Sequence, residues 1–308
     1  MKKVSVVIPV YFEEKSIHTL FEELRKMESG LTNLGLELEL IFVDDGSQDN
    51  TVKMLLDLKK DRPETRIIKL TRNFGAINAS KTGLKFVTGD CFTIIAADLQ
   101  DPPHLIVEMA EKWLNGSKYI ICTRNKKRAD PLMTRIFASL YYRLIRLFVV
   151  KDFPKGGFDM AMWDKEMLPY IRDCSKNINR SLYAHWLGYK AEIINYNRPV
   201  RKNGKSKWTL GKKFNLFLDS FLGFSILPIR LISAIGICVS FLSFIYGIII
   251  IIGAISGTLA VQGFATIVTL ISFLLGLVII MLGVIGEYIW RIFDEVNQRP
   301  EAIIDEVY

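Results

Sequence analysis

An α/β sheet domain carried on two membrane-crossing helices is the fold class this sequence predicts, and three observations predict it. Short apolar runs alternate with amphipathic, helix-length segments over the first part of the chain. Polar loops follow four of those runs. Beyond Arg230, charged residues almost vanish until Glu287.

Residues 4–10 (Val, Ser, Val, Val, Ile, Pro, Val) are too few for a secretion signal or a span, and Glu13 and Glu14 end the run. It reads as a buried parallel strand, and no cleavable signal peptide is expected. A helix over 14–28 follows, then a strand over 39–43 and a helix over 49–61. The same alternation continues with strand 66–71, helix 76–86, strand 91–96, helix 103–115 and strand 119–123. Strands separated by helices of this length predict a mostly parallel sheet with helices on both faces, with ligands at the carboxyl ends of the strands.

The chain has 308 residues, half of them hydrophobic (50%), and a net charge of +8. Its mean hydropathy of +0.24 is high for a soluble enzyme. The basic excess lies mainly before the apolar region, which suits an anionic membrane surface or an anionic substrate. A solvated basic face would account for it as well. Cys91, Cys122, Cys174 and Cys238 are far apart, and His18, His104 and His185 do not cluster with them. That spacing argues against a zinc site or a disulfide framework and fits a reducing cytoplasm.

Residues 231–253 and 264–286 carry no charge, and each is long enough to cross about 30 Å of hydrocarbon as a helix. The connection over 254–263 is uncharged. Lys205, Lys207, Lys212, Lys213 and Arg230 precede the first span, and Arg291 and Arg299 follow the second. The positive-inside rule then predicts both termini in the cytoplasm. The domain reading is a catalytic domain over 1–210, a juxtamembrane amphipathic segment over 211–230, the two spans, and a cytoplasmic tail over 287–308. Residues 132–150 and 214–227 each place aromatic and aliphatic residues at helical spacing, the first among Arg135, Arg143 and Arg146. Each could lie in the membrane surface or pack on the protein core.

The loops after the first four strands hold the candidate chemistry. They read Pro9, Val10, Tyr11, Phe12, Glu13; then Asp44, Asp45, Gly46, Ser47, Gln48, Asp49; then Thr71, Arg72, Asn73, Phe74, Gly75; then Asp98, Leu99, Gln100, Asp101, Pro102, Pro103. With the run from Gly204 to Trp208, the paired spans and the sequence Gly286, Glu287, Tyr288, these motifs resemble the family 2 glycosyltransferases of the GT-A fold. The likeness is strongest to the branch of polyprenyl-phosphate glycosyltransferases and dolichol-phosphate mannose synthases, in its bacterial two-span form. It implies an inverting hexosyltransferase that moves a hexose or N-acetylhexosamine from a UDP-linked donor to polyprenyl phosphate for cell-envelope glycans. It also implies a multi-pass protein of the bacterial inner membrane with its catalytic domain in the cytoplasm, a lipid-bilayer partner, a homo-oligomer and no nucleic acid. A processive polysaccharide synthase is the rival, but no Gln-x-x-Arg-Trp motif and no further spans are found. A non-catalytic scaffold is a weaker one, set against intact acidic loops.

The resemblance implies that Pro9, Tyr11 and Glu13 line the base and ribose pocket, with Arg72 also binding the nucleotide. It implies that Asp44 or Asp45 reads the nucleobase while the other caps the turn. Asp49 reads as a helix cap. Asp98 and Gln100 lie two apart, so their oxygens face the same way if the chain is extended, as a pair of ligands to Mg2+ or Mn2+ would. Asp101, ahead of two prolines, reads as an N-cap. Arg124, Arg128, Arg201 and Lys207 supply the cations that a reaction between two anions needs, with weaker expectations for Lys126 and Lys127. Asp159, behind Gly156 and Gly157, matches the acid that this branch places near the reacting carbon, as a base or as an orienting group.

Overall fold

The computed structural model describes residues 1–125, 132–176, 178–197, 220, 222–224, 227–256 and 263–308. The chain divides into two compact units, Met1–Phe217 with Pro300–Tyr308, and Leu218–Arg299.

In the first unit the strands form one eight-stranded sheet in the order β7-β5-β6-β4-β1-β2-β3-β8. They are β1 (Lys2–Val10), β2 (Leu36–Asp44), β3 (Arg66–Leu70), β4 (Cys91–Ile94), β5 (Tyr119–Arg124), β6 (Met160–Asp164), β7 (Ala191–Tyr196) and β8 (Ile304–Val307). Pairings of β1 with β2 and β4, of β2 with β3 and of β5 with β7 are parallel. Strand β6 runs antiparallel between β4 and β5, and β8 runs antiparallel to β3.

Period-two alternation along the strands builds two cores. On one face Val4, Val6 and Ile8 of β1 meet α1 (Ile17–Asn33), α2 (Thr51–Asp61) and α4 (His104–Leu114) through Leu20, Leu55 and Met109. On the other, Val7, Ile41 and Ile68 meet α3 (Ala76–Leu84), α6 (Leu168–Arg172) and α7 (Arg180–Trp186) through Leu84, Ile171 and Ala184. The helices thus cover both faces, as read from the sequence.

Helix α5 (Leu132–Phe148) divides the two readings offered for its segment. Ile145 is buried and Tyr142 stacks on Phe153, while Leu140, Leu147 and Phe148 are exposed. Of the segment 214–227, residues 214–219, 221, 225 and 226 lie outside the described residues. All four cysteines are free, and three are buried.

Three strands go beyond the sequence reading. The run of β6 is rich in Met and lacks β-branched residues, and β7 buries only Ile194 and Tyr196. Strand β8 has four residues and lies in the segment read as a tail. That tail is divided: the second apolar helix runs on to Val296, and Pro300–Tyr308 belongs with the sheet.

Among the described residues the second unit holds two long helices, Leu227–Ile255 and Phe264–Val296, which cover the spans read from the sequence. Both are long and apolar enough to cross a membrane. Ile237, Phe241, Phe273 and Leu282 are exposed along them. Past Gly286 the second helix carries an ion pair one turn apart, Arg291 to Glu287 at 3.2 Å.

Candidate active site

The loops singled out in the sequence emerge at one edge of the sheet. At the ends of β1, β2 and β3 a cleft of about 430 Å³ is lined by Tyr11, Ser47, Lys69, Arg72 and Asp305, among others. Phe12 sits in the left-handed region at φ 55° and its N–H donates to Ser47 Oγ at 3.0 Å, tying the β1 loop to the β2 turn. Gly46 has φ 75°, and a Cβ there would stand 2.6 Å from the carbonyl carbon of Arg72. The two loops therefore meet backbone to backbone, which a side chain would prevent. The Arg72 guanidinium lies 4.2 Å from the centre of the Phe74 ring.

The two acids at the end of β2 are buried, next to Gly46, which lines this cleft. Asp45 accepts the N–H groups of Phe74 (2.7 Å) and Gly75 (2.9 Å), one on each oxygen, ahead of α3. Asp44 accepts the Ser47 N–H at 3.0 Å through Oδ2, and its buried Oδ1 has no partner among the described residues. Burial pushes both carboxyls above the ordinary aspartate range, against the pull of these hydrogen bonds. Asp49 accepts the Thr51 N–H at 3.1 Å in the turn ahead of α2, but the N-cap position is taken by Asn50, which makes no side-chain cap bond, so the cap expected of Asp49 lies one residue before that position.

Glu13 turns toward α1. Its carbonyl accepts from Ser16 and Ile17, its carboxylate from the Ser16 hydroxyl, and its N–H donates to Thr51 Oγ1 at 3.0 Å. The left-handed Phe12 breaks the extended geometry that would set Tyr11 and Glu13 on one side. Pro9 lies within β1 opposite Val43.

After β4 the chain turns at Asp98, with Leu99 at φ 56°. The extended chain assumed for Asp98 and Gln100 is absent, because a left-handed residue between them bends the loop. The turn is closed by the Gln100 N–H donating to Asp98 Oδ1 at 3.2 Å. Both side chains are half-buried.

The third group lies where β5 and β7 end and β6 begins. The guanidinium of Arg124 grips Asp159 with two N–H groups, one on each carboxylate oxygen. The Tyr196 hydroxyl lies 2.9 Å from Asp159 Oδ2 and 3.1 Å from Asp101 Oδ1. Asp101 thus joins the loop after β4 to this group. Helix α4 has Pro103 as its N-cap and no side-chain cap, so the capping role expected of Asp101 is replaced by the bond to Tyr196. Burial pushes Asp101 up to about 6, and the neighbouring Asp159 adds to it. Gly157, at φ 71°, is needed because a Cβ would collide with the Tyr142 hydroxyl. Sequence reasoning missed Tyr196, since nothing marks β7 as adjacent to β5. Lys126, Lys127, Arg128, Arg201 and Lys207 lie outside the described residues.

The profile of Glycosyl transferase family 2 matches residues 5–168. The chain is 34% identical over 309 residues to the uncharacterized glycosyltransferase sll0501 of Synechocystis sp., across 99% of this chain and 96% of that one. It is 32% identical over 303 residues to the bactoprenol glucosyl transferase of Shigella phage SfII, across 98% and 97%. Among solved structures, a mannosyltransferase of Pyrobaculum calidifontis in complex with GDP-Man and Mn2+ is similar over 65% of this chain and 58% of that one, at 19% identity and a TM-score of 0.46. With a profile match running from β1 past β6 and relatives aligned almost end to end, the chain belongs to glycosyl transferase family 2.

Proposed function

We propose that the chain transfers a hexose or N-acetylhexosamine, with inversion, from a UDP-sugar to polyprenyl phosphate on the cytoplasmic side of a bacterial membrane. The observation that carries this is the row of polar groups along one sheet edge. The cleft at the ends of β1, β2 and β3 is followed in strand order by the turn of Asp98 after β4 and then by the group of Asp159, Arg124 and Tyr196. The name of the phage relative, bactoprenol glucosyl transferase, supports a polyprenyl phosphate acceptor. Two apolar helices in the same chain support an acceptor drawn from the bilayer.

In this reading Pro9, Tyr11 and Arg72 hold the base and ribose. Asp44, Asp45 and Glu13 act through the loops they brace. Asp98 and Gln100 offer a carboxylate and an amide oxygen on a half-buried turn, a hard donor set that fits Mg2+ or Mn2+ with phosphate oxygens completing the shell. When bound there, the ion offsets charge on the leaving diphosphate. A lipid phosphate oxygen forms the new bond to the anomeric carbon as the bond to the diphosphate oxygen breaks. A phosphate monoester is already mostly ionised at neutral pH, so no base is required. Asp159 then positions Arg124, whose remaining N–H groups meet the acceptor phosphate. Arg128, Arg201 and Lys207 supply further cations for that phosphate.

The test is a panel of UDP- and GDP-sugars incubated with detergent-purified protein and undecaprenyl phosphate, with the lipid product weighed by mass spectrometry. A polyprenyl monophosphoryl hexose is expected, lost on chelation and in Asp98→Ala. Full transfer by Asp98→Ala would remove the metal-site assignment. No sugar-lipid from any donor would remove the function.

A further inference from the structure

We infer that Pro300–Tyr308, the segment after the second apolar helix, is a strap that holds the β3 loop in its donor-binding form, and that the buried pair of Lys81 with Glu301 locks it; this rests on the donor reading above. Lys81 lies in the middle of α3 at 8% exposure, and no step of the transfer uses it. Its ammonium donates to Glu301 at 2.6 Å and to the carbonyl of Cys174, in the turn after α6. Among the described residues Glu301 is the one carboxylate that it meets, and it comes from 220 positions along the chain. An ammonium buried without a counter-charge is costly, so the burial of Lys81 requires the strap in place. A second cation depends on the same carboxylate. Burial draws the Arg180 guanidinium down, and Cys174 and Glu301 counter it.

From Glu301 the strap runs to the loop that carries Arg72. Ala302 and Ile304 pack on the second core. The Ile303 carbonyl accepts the Thr71 N–H at 3.0 Å, one residue before Arg72. Tyr308 exchanges two backbone hydrogen bonds with Ile67, at 3.1 and 2.8 Å, and a more exposed ion pair joins Lys69 to Asp305 at 2.7 Å. Thr71, Arg72 and Asn73 line the cleft. The loop is therefore gripped on one side by the Gly46 turn and on the other by the strap.

With the strap released, β3 becomes an edge strand and the Thr71 N–H loses its partner, so the backbone that aims Arg72 loosens. Lys81 and Glu301 are thus positioning residues, which act through Thr71 and Arg72. Residues 297–299 alone join Val296, the end of the second apolar helix, to Pro300. The chain that carries the apolar helices therefore returns to frame the donor loop.

The full chain in detergent is compared with Lys81→Met, Glu301→Gln and the two combined. Each single variant leaves one partner of the pair unmatched and should raise the donor KM and the UDP Kd about tenfold, with kcat nearly unchanged. The combined variant leaves no unpaired charge and should recover most of that loss. Amide exchange at Thr71 and Tyr308 should quicken in the single variants and return toward wild type in the combined one. In the wild type, UDP should slow exchange at both amides, a reading that stands even if a variant fails to fold. A donor KM unchanged in both single variants, a loss confined to kcat, or amides indifferent to UDP would overturn the strap's role and leave the donor reading intact. A wild type that binds no UDP overturns both.

Discussion

The Asp159 carboxylate is held from two sides, by the fork of Arg124 and by the hydroxyl of Tyr196. An asparagine there cannot return both N–H bonds of the guanidinium, so Arg124 loses its fixed direction. Asp159→Asn is therefore expected to cut transfer by at least about a hundredfold at saturating donor. Tyr196→Phe, which removes one hydrogen bond and leaves the fork, should cost about tenfold. Initial rates with polyprenyl phosphate decide it, and equal small losses would deny the positioning role.

Asp101 shares the Tyr196 hydroxyl, and its consequence concerns stability. Its carboxyl is raised from 3.8 to about 6, mainly by burial and then by the charge on Asp159. The folded chain therefore holds that proton more tightly than the unfolded chain. The contribution to stability is complete below about pH 3.8 and is lost as pH rises through about 6. Asp101→Asn, a neutral stand-in for the protonated acid, should gain stability relative to wild type between pH 5 and pH 7.5, values chosen as roughly bracketing that range. Thermal unfolding at the two values reads this directly, and parallel profiles would refute it.

The elements meet through their turns. Gly46 lets the β2 turn touch the backbone of the β3 loop, with a Cβ 2.6 Å from Arg72 leaving no room to relax. Gly46→Ala adds both that clash and a strained left-handed residue. It should cost about 2 kcal/mol or more in stability and weaken nucleotide binding, since Ser47 and Arg72 line the cleft on either side. Denaturant unfolding with UDP titration measures the two effects. Helix α5 shows how one amphipathic pattern serves two surroundings, with Tyr142 and Ile145 facing the core and Leu140 and Leu147 exposed.

Connectivity constrains the chain as a whole. Strand β8 pairs with β3, so the chain that leaves the sheet unit before the first apolar helix rejoins it after the second. If the helices cross a membrane, both must, and both ends then lie on one side. The charge distribution predicts that side to be the cytoplasm. Alkaline phosphatase inserted within residues 257–262 should then be active, and a fluorescent protein fused after Tyr308 should fluoresce. An inactive insertion would overturn the orientation.

Much of this was legible in one dimension. Strands β1 to β5, helices α1 to α4, the apolar helices and the polar loops at the carboxyl edge all follow from local periods and turn chemistry, which a short window contains. Asp44, Asp45 and Asp98 were legible as members of those loops, and Asp159 through the family resemblance. Their partners were not. Tyr196 reaches Asp159 across 37 positions, and Lys69 reaches Asp305 across 236. No local pattern encodes such pairs, because they form only once packing has met the entropy of closing the loops between them. Strands β6, β7 and β8 belong to that second class: each is short, and its place is set by a neighbour distant in sequence.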